Sequence, residues 1–137
     1  MQVNRYLKNE AMDRMDHALG RPLDPARETY RNFYATGGAL ADEMAGSPFW
    51  IEGKPQKYMR FFAVSGQGRR ALAEHLREIG DPHRAYSVTF DGHTRSIVAT
   101  SRDNAKYIHY LDISEVMPDL SFMDYCRRTR VTAQRAA

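Results

Sequence analysis

The chain has 137 residues, 42% hydrophobic and 27% charged, with a formal net charge of +3. That balance suits one domain, or two very small ones sharing a core, and the aromatics spread along the chain argue against disorder. No apolar run reaches the length of a membrane span, the N-terminal stretch MQVNRYLKNEAMDRMDHALG lacks the apolar segment of a signal peptide, and the single cysteine, Cys126, permits no intramolecular disulfide. The expected setting is therefore reducing and cytoplasmic.

In chain order, Val3, Leu7, Ala11, Met15 and Ala18 recur at three- and four-residue steps and predict a helix. Gly20 and Pro22 stop it. Asp24-Pro25 reads as a cap followed by proline at the first helical position. It predicts a second helix with a stripe of Ala26, Tyr30 and Phe33, closed by Thr36-Gly37-Gly38. Residues 39–45 predict a short third helix ending at Gly46. Phe49 to Ile51 and Tyr58 to Val64 predict two strands joined by the loop Gly53-Lys54-Pro55-Gln56. Ser65 caps a helix over 66–79 whose core positions are Leu72, Leu76 and Ile79.

Gly80-Asp81-Pro82 is the strongest break in the chain. Beyond it, Tyr86, Val88 and Phe90 alternate with polar residues, Asp91-Gly92 signals a hairpin, and residues 96–100 return as a strand. Ser101-Arg-Asp-Asn opens a helix with the stripe Ala105, Ile108 and Leu111, widened by Tyr107, Tyr110 and Ile113, until Pro118. Ser121 starts a last helical turn through Tyr125, and Arg130-Val131-Thr132 reads as a short edge strand.

The order predicts an α+β fold. A winged-helix-like helical module with a β-hairpin spans 1–80, and a small ββα(α) module packed on it spans 81–137. A winged helix places its second motif helix in the major groove. Here that helix is 39–45, which holds Asp42 and Glu43 and no Lys or Arg, so its charge opposes phosphate. Cationic and amide side chains lie elsewhere. Arg27 and Arg31 sit on the preceding predicted helix, Lys54, Gln56 and Lys57 at the wing tip, Arg60 on the return strand, and Arg69 and Arg70 at the start of the next helix. After Asp124 no acid follows, while Arg127, Arg128, Arg130 and Arg135 do. Aromatics beside arginines are the types that dominate interfaces, which marks Tyr125 with Arg127, Arg128 and Arg130 as candidate contacts.

Two stretches carry a resemblance. YRNFY at 30–34, followed by FAVSGQGRRAL at 62–72, is similar to small proteins of tailed phages and prophages. The spacing of Val64, Ser65, Gly68 and Leu72 also resembles the wing-to-helix junction of winged-helix regulators. The run IVATSR at 97–102, with Ala105-Lys106-Tyr107 after it, resembles a phage-type ββα accessory module. The resemblance implies work in the cytoplasm of a bacterial host, either as a regulator of phage genes or as an inhibitor of a host nucleic-acid machine. Anti-CRISPR and other anti-defence proteins act in the second way, by steric occlusion and without catalytic residues.

Chemical signatures are sparse. The five histidines, His17, His75, His83, His93 and His109, contain no i,i+4 pair, and one cysteine supplies no zinc cluster. His83 and His93 flank one strand and read as a surface pair. Cys126 sits in Asp-Tyr-Cys-Arg-Arg, where nearby arginines favour a thiolate, but it reads first as a small helix hydrophobe. SGQGRR at 65–70 lacks the Walker lysine and reads as a capped helix start. No metal or cofactor is expected. The leading expectation is a non-enzymatic protein that binds a host protein or ribonucleoprotein complex. The alternative is a winged-helix regulator that binds double-stranded DNA.

Overall fold

Four helices begin where a short polar side chain accepts the first free backbone N–H groups. Asn9 accepts from Met12, Ser65 from Gly68, Ser101 from Asn104 and Ser121 from Asp124. The computed structural model describes residues 3–134 and divides the chain into two units, Met1–Asp81 and Pro82–Ala137. Arg135 lies outside the described residues. Among these residues the fold is α+β, with five helices and two three-stranded antiparallel sheets.

The first unit holds α1 (Glu10–Ala18), β1 (Tyr34–Thr36), α2 (Gly38–Ala45), β2 (Trp50–Glu52), β3 (Arg60–Val64) and α3 (Gly66–Glu78). Its sheet has the order β1-β3-β2. Met15, Ala18, Leu19, Val64, Leu72 and Leu76 form the main core, and Ala41 and Met44 of α2 close a second cluster on Phe62. Ile79, expected in the core, follows the helix end and is 52% exposed. The first helix begins later than expected. Val3 is buried in an extended segment whose N–H donates to the Arg21 carbonyl at 2.6 Å.

The helix expected from Asp24 does not form. The Asp24 carboxylate accepts the Ala26 N–H in a turn, and the chain then runs extended into β1. Distant partners hold it there. Arg69 donates to the carbonyls of Pro25 and Arg27 and to Thr29 Oγ1. Asn32 accepts the Val64 N–H and donates to the Val64 carbonyl, continuing the β1–β3 ladder with a side chain. Asp-Pro opens turns as readily as helices, and these contacts select the turn. A helix-turn-helix needs two successive helices, and α2 alone lies between β1 and β2. The α+β class holds without the winged-helix detail following from it.

The second unit holds β4 (Arg84–Phe90), β5 (His93–Ala99), α4 (Arg102–Val116), α5 (Phe122–Arg127) and β6 (Thr129–Ala133), with sheet order β5-β4-β6. Asp91 (φ 48°) and Gly92 (φ 81°) make the tight turn between β4 and β5. The expected edge strand is β6, two residues longer than read. Tyr86, Val88, Ile97 and Ala99 face Ala105 and Ile108, while Phe90, Leu120 and Tyr125 form a second cluster. The buried stripe of α4 is Ala105 and His109, and Leu111 is 47% exposed.

No helix among the described residues is long and apolar enough to cross a membrane.

Candidate interaction surfaces

In the first unit, strand alternation sends Tyr34, Trp50, Phe62 and Val64 toward the helices and Ala35, Ile51, Phe61 and Ala63 to the other face. That outer face is apolar. Ile51 is 59% exposed, and Phe33, just before β1, is 54% exposed with its ring stacked on Phe61 at 5.3 Å. Met59 and Tyr58 extend the apolar surface into the β2–β3 loop, where Lys57 Nζ lies 5.3 Å from the Tyr58 ring. Within β1, β2, β3 and that loop the one acid is Glu52, and its cross-strand partner is Phe62 on the inner face.

The cationic residues divide by partner. Lys54, Gln56 and Lys57 are exposed on the loop. Arg60 is engaged: its guanidinium donates twice to Glu52 at 2.8 Å and once to Asp42 at 2.6 Å, bridging β2, β3 and α2. Those bonds, Glu52 first, raise the Arg60 pKa, and the bond from Arg60 lowers that of Glu52. Arg69 is the clamp on segment 25–29 described above. Arg31 is half-buried and donates to the His17 carbonyl at 2.6 Å, and Arg27 pairs with Asp24 at 3.3 Å. Arg70 is exposed on α3. Arg27 and Arg31 therefore do not share a helix face, and Arg60 and Arg69 are spoken for inside the unit.

Tyr125 is the clearest correction. It is 0% exposed, with its hydroxyl 2.7 Å from His109 Nδ1, so it is core and not a surface contact. Its ring packs among Phe90, Tyr110, Phe122 and His109, which explains the burial. Its neighbours on the arginine run are exposed. Arg127 pairs with Asp124 at 3.4 Å. Arg128 holds Asp91 through both carboxylate oxygens and lies over the Phe90 ring at 4.8 Å. That pairing lowers the Asp91 pKa and raises that of Arg128. Arg130 stands on the outer face of β6, level with Thr89 of β4.

That outer face of the second sheet is polar throughout its centre. Ser87, Thr89, Thr94, Ser96, Arg130 and Thr132 point away from the helices. Thr89 and Thr94 share a hydrogen bond of 2.7 Å, and the Gln134 amide donates to Ser87 at 3.1 Å and to Ser96. At one end an open depression of about 410 Å³ is lined by Thr89, Asp91, Gly92, Arg127, Arg128 and Arg130, among others.

Sequence reasoning missed a buried ion cluster in the first unit. Arg5 donates to both Asp16 oxygens at 2.7 and 3.0 Å, to Asp81 at 3.1 Å and to the Pro22 carbonyl at 2.8 Å. Arg21 joins Asp13 at 2.7 Å and Asp16 at 3.3 Å. The hydrogen bond from Arg21 lowers the Asp13 pKa. These groups satisfy one another, so the cluster reads as structural. Cys126 is half-buried beside Phe90, Leu120 and Tyr125. Among the described residues no group of three or more His, Cys, Asp or Glu is arranged to hold a metal ion.

No protein-family model matches the sequence, no curated protein matches it, and no solved structure matches the fold.

Proposed function

We propose that this chain is a non-enzymatic binding protein that engages a protein partner through the outer face of its first sheet. The observation that carries this is the apolar character of that face. An antiparallel sheet with one covered side ordinarily turns polar residues to water on the other. Here Ala35, Ile51, Phe61 and Ala63 occupy it, with Phe33 stacked at the edge. A contiguous exposed apolar patch of this kind is what a partner covers. Lys54 and Lys57 on the adjoining loop fit a partner whose apolar surface is rimmed by acids. The likeness of the sequence to phage accessory proteins supports a setting. The partner is then a host defence or nucleic-acid-processing complex, inhibited by occlusion in the manner of an anti-CRISPR protein.

The test is co-purification from a bacterial host with wild-type protein and with Ile51→Asp, a substitution at an exposed position. A stoichiometric partner held by wild type, released by Ile51→Asp and weakened by Lys54→Glu is the expected result. A partner retained by Ile51→Asp, or none recovered, overturns the reading.

The second reading is a regulator that grips duplex DNA with the β2–β3 loop. Exposed Lys54, Gln56 and Lys57 favour it. Arg60 adds nothing to it, because Glu52 and Asp42 occupy its guanidinium.

A further inference from the structure

We propose that the outer face of the second sheet is a duplex DNA surface, laid in the major groove with Arg130 of the edge strand β6, near the Asp91-Gly92 end of that face, against the phosphates. Three observations carry this.

The first is charge. None of the residues of β4, β5 and β6 is an Asp or Glu. The acids of this unit lie elsewhere: Asp103, Asp112 and Glu115 on α4, Asp119 after it, Asp124 on α5, and Asp91 in the turn, held by Arg128. The carboxylates of the unit thus lie on its helices, after α4 or in the Asp91 turn at one end, and the strands of the open sheet face carry none. A face free of acids suits a polyanion.

The second is side-chain chemistry. Ser87, Thr89, Thr94, Ser96, Thr132 and Gln134 are hydroxyls and an amide that both donate and accept. With an arginine among them they are the residue types that read base edges. The Thr89–Thr94 bond and the Gln134 bridge from β6 to β4 and β5 tie these groups into an ordered layer. High strand propensity accounts for threonine and in part for the want of acids, but not for an arginine level with Thr89.

The third is size and position. Two interstrand spacings make the face about 10 Å across. The B-form major groove is about 12 Å wide, and β-sheets are among the elements that enter grooves. Arg130 stands at the end of this face, where groove meets backbone, beside an open depression in which Arg127 and Arg128 are paired with Asp124 and Asp91. A-form RNA has a major groove too narrow and deep for such a face, so the duplex is DNA.

This surface is on a different unit from the proposed protein-binding face, and the two fail separately. The experiment is fluorescence anisotropy of a labelled random-sequence DNA duplex with the full chain at low and moderate salt. The same sequence as duplex RNA is run beside it. Wild-type protein binds DNA with steep salt dependence and binds the RNA more weakly. Arg130→Glu weakens DNA binding by about ten-fold or more, and Arg130→Ala lowers the salt slope by about one unit. Lys54→Glu/Lys57→Glu and Ile51→Asp bind DNA as wild type does. Arg130 is exposed, and melting curves that match wild type are the check that its variants fold. No DNA binding at low salt, binding unaffected by Arg130→Glu, or RNA bound as tightly as DNA each overturns the proposal.

Discussion

The Nδ1 atom of His109 and the hydroxyl of Tyr125 lie 2.7 Å apart, with both side chains closed off from water by Phe90 and the α4–α5 rings. Burial lowers the His109 pKa below its ordinary 6.5, and the nearby Arg95 charge adds to this more than Asp112 opposes it. The unfolded chain therefore binds a proton more readily than the folded one. The stabilisation is complete above pH 6.5 and is lost as pH falls from there through the lowered folded value. Melting of the second unit, followed by near-ultraviolet circular dichroism, is expected to weaken in mildly acid solution. A melting temperature flat across that range would contradict the neutral, buried imidazole.

The other partner sets the alkaline limb. Burial raises the Tyr125 pKa above 10.0. Its stabilisation is therefore present below pH 10.0 and is lost as pH rises through the folded value. Tyr125→Phe removes that limb and leaves His109 Nδ1 without its partner, at a cost of about 1–3 kcal/mol. Chemical denaturation at neutral pH measures the cost, and the alkaline titration of stability measures the limb. If the variant matches wild type in both, the hydrogen bond does not act as described.

Arg5, Asp16 and Arg21 are each under one-tenth exposed, so their pairing is expected to matter far more than a surface ion pair does. Asp16→Ala leaves two buried guanidinium groups short of a carboxylate. The expected loss is about 3–5 kcal/mol. Folded domains commonly have only about 5–15 kcal/mol in hand, so the first unit should unfold at much lower urea. Arg27→Ala, which breaks the exposed pair with Asp24, serves as the control and should shift the midpoint little.

Elements fixed by neighbours in sequence were legible in advance. The hairpin at Asp91-Gly92, the capped starts at Ser65, Ser101 and Ser121, and the α+β class all follow from turn chemistry and caps a few residues long. Segment 24–33 was not legible. Asp24-Pro25 is compatible with a helix or a turn, and the decision belongs to Arg69 and Val64, about forty and thirty residues away. His109 and Asp16 escaped for another reason: polar residues count against burial in any periodicity, and only their partners, Tyr125 and Arg5, reverse that. Tyr107, Tyr110, Phe122 and Tyr125 look alike in sequence, yet Tyr107 is 51% exposed and Tyr125 fully buried. Arg60 and Arg69 had the charge of a contact residue, and nothing local announced that Glu52, Asp42 and three acceptors in 25–29 would occupy them.

Arg60→Ala tests whether Arg60 is a structural bridge or part of the contact surface of the β2–β3 loop. If Arg60 serves only to join Glu52 and Asp42 across β2, β3 and α2, its loss lowers the melting temperature slightly and changes no binding. Anisotropy with duplex DNA is the measurement. A marked loss of DNA affinity in Arg60→Ala would return the loop to the role of a nucleic-acid contact.

Gly68 and Gly66 share the first turn of α3 and should respond to alanine in opposite ways. Alanine favours a helix by about 1 kcal/mol over glycine, so propensity alone would stabilise both variants. At Gly68 a Cβ would lie 2.5 Å from the Phe49 carbonyl oxygen, 2.8 Å from Val64 Cγ1 and 3.1 Å from Met15 Sδ. The Phe49 carbonyl is itself fixed, since it accepts the Ser65 N–H at 2.8 Å, and Met15 and Val64 are core. None of the three yields cheaply, and overpacking of this kind costs about 1–3 kcal/mol before any backbone shift. The clash outweighs the propensity gain, and Gly68→Ala lowers the melting temperature of the first unit. At Gly66 the nearest atom to a new Cβ is the end of the Arg70 side chain at 3.5 Å, an ordinary contact on an exposed residue. Gly66→Ala therefore leaves the melting temperature unchanged or raises it. Equal melting of the two variants would mean that the packing of α3 against the Phe49 backbone is looser than these distances state.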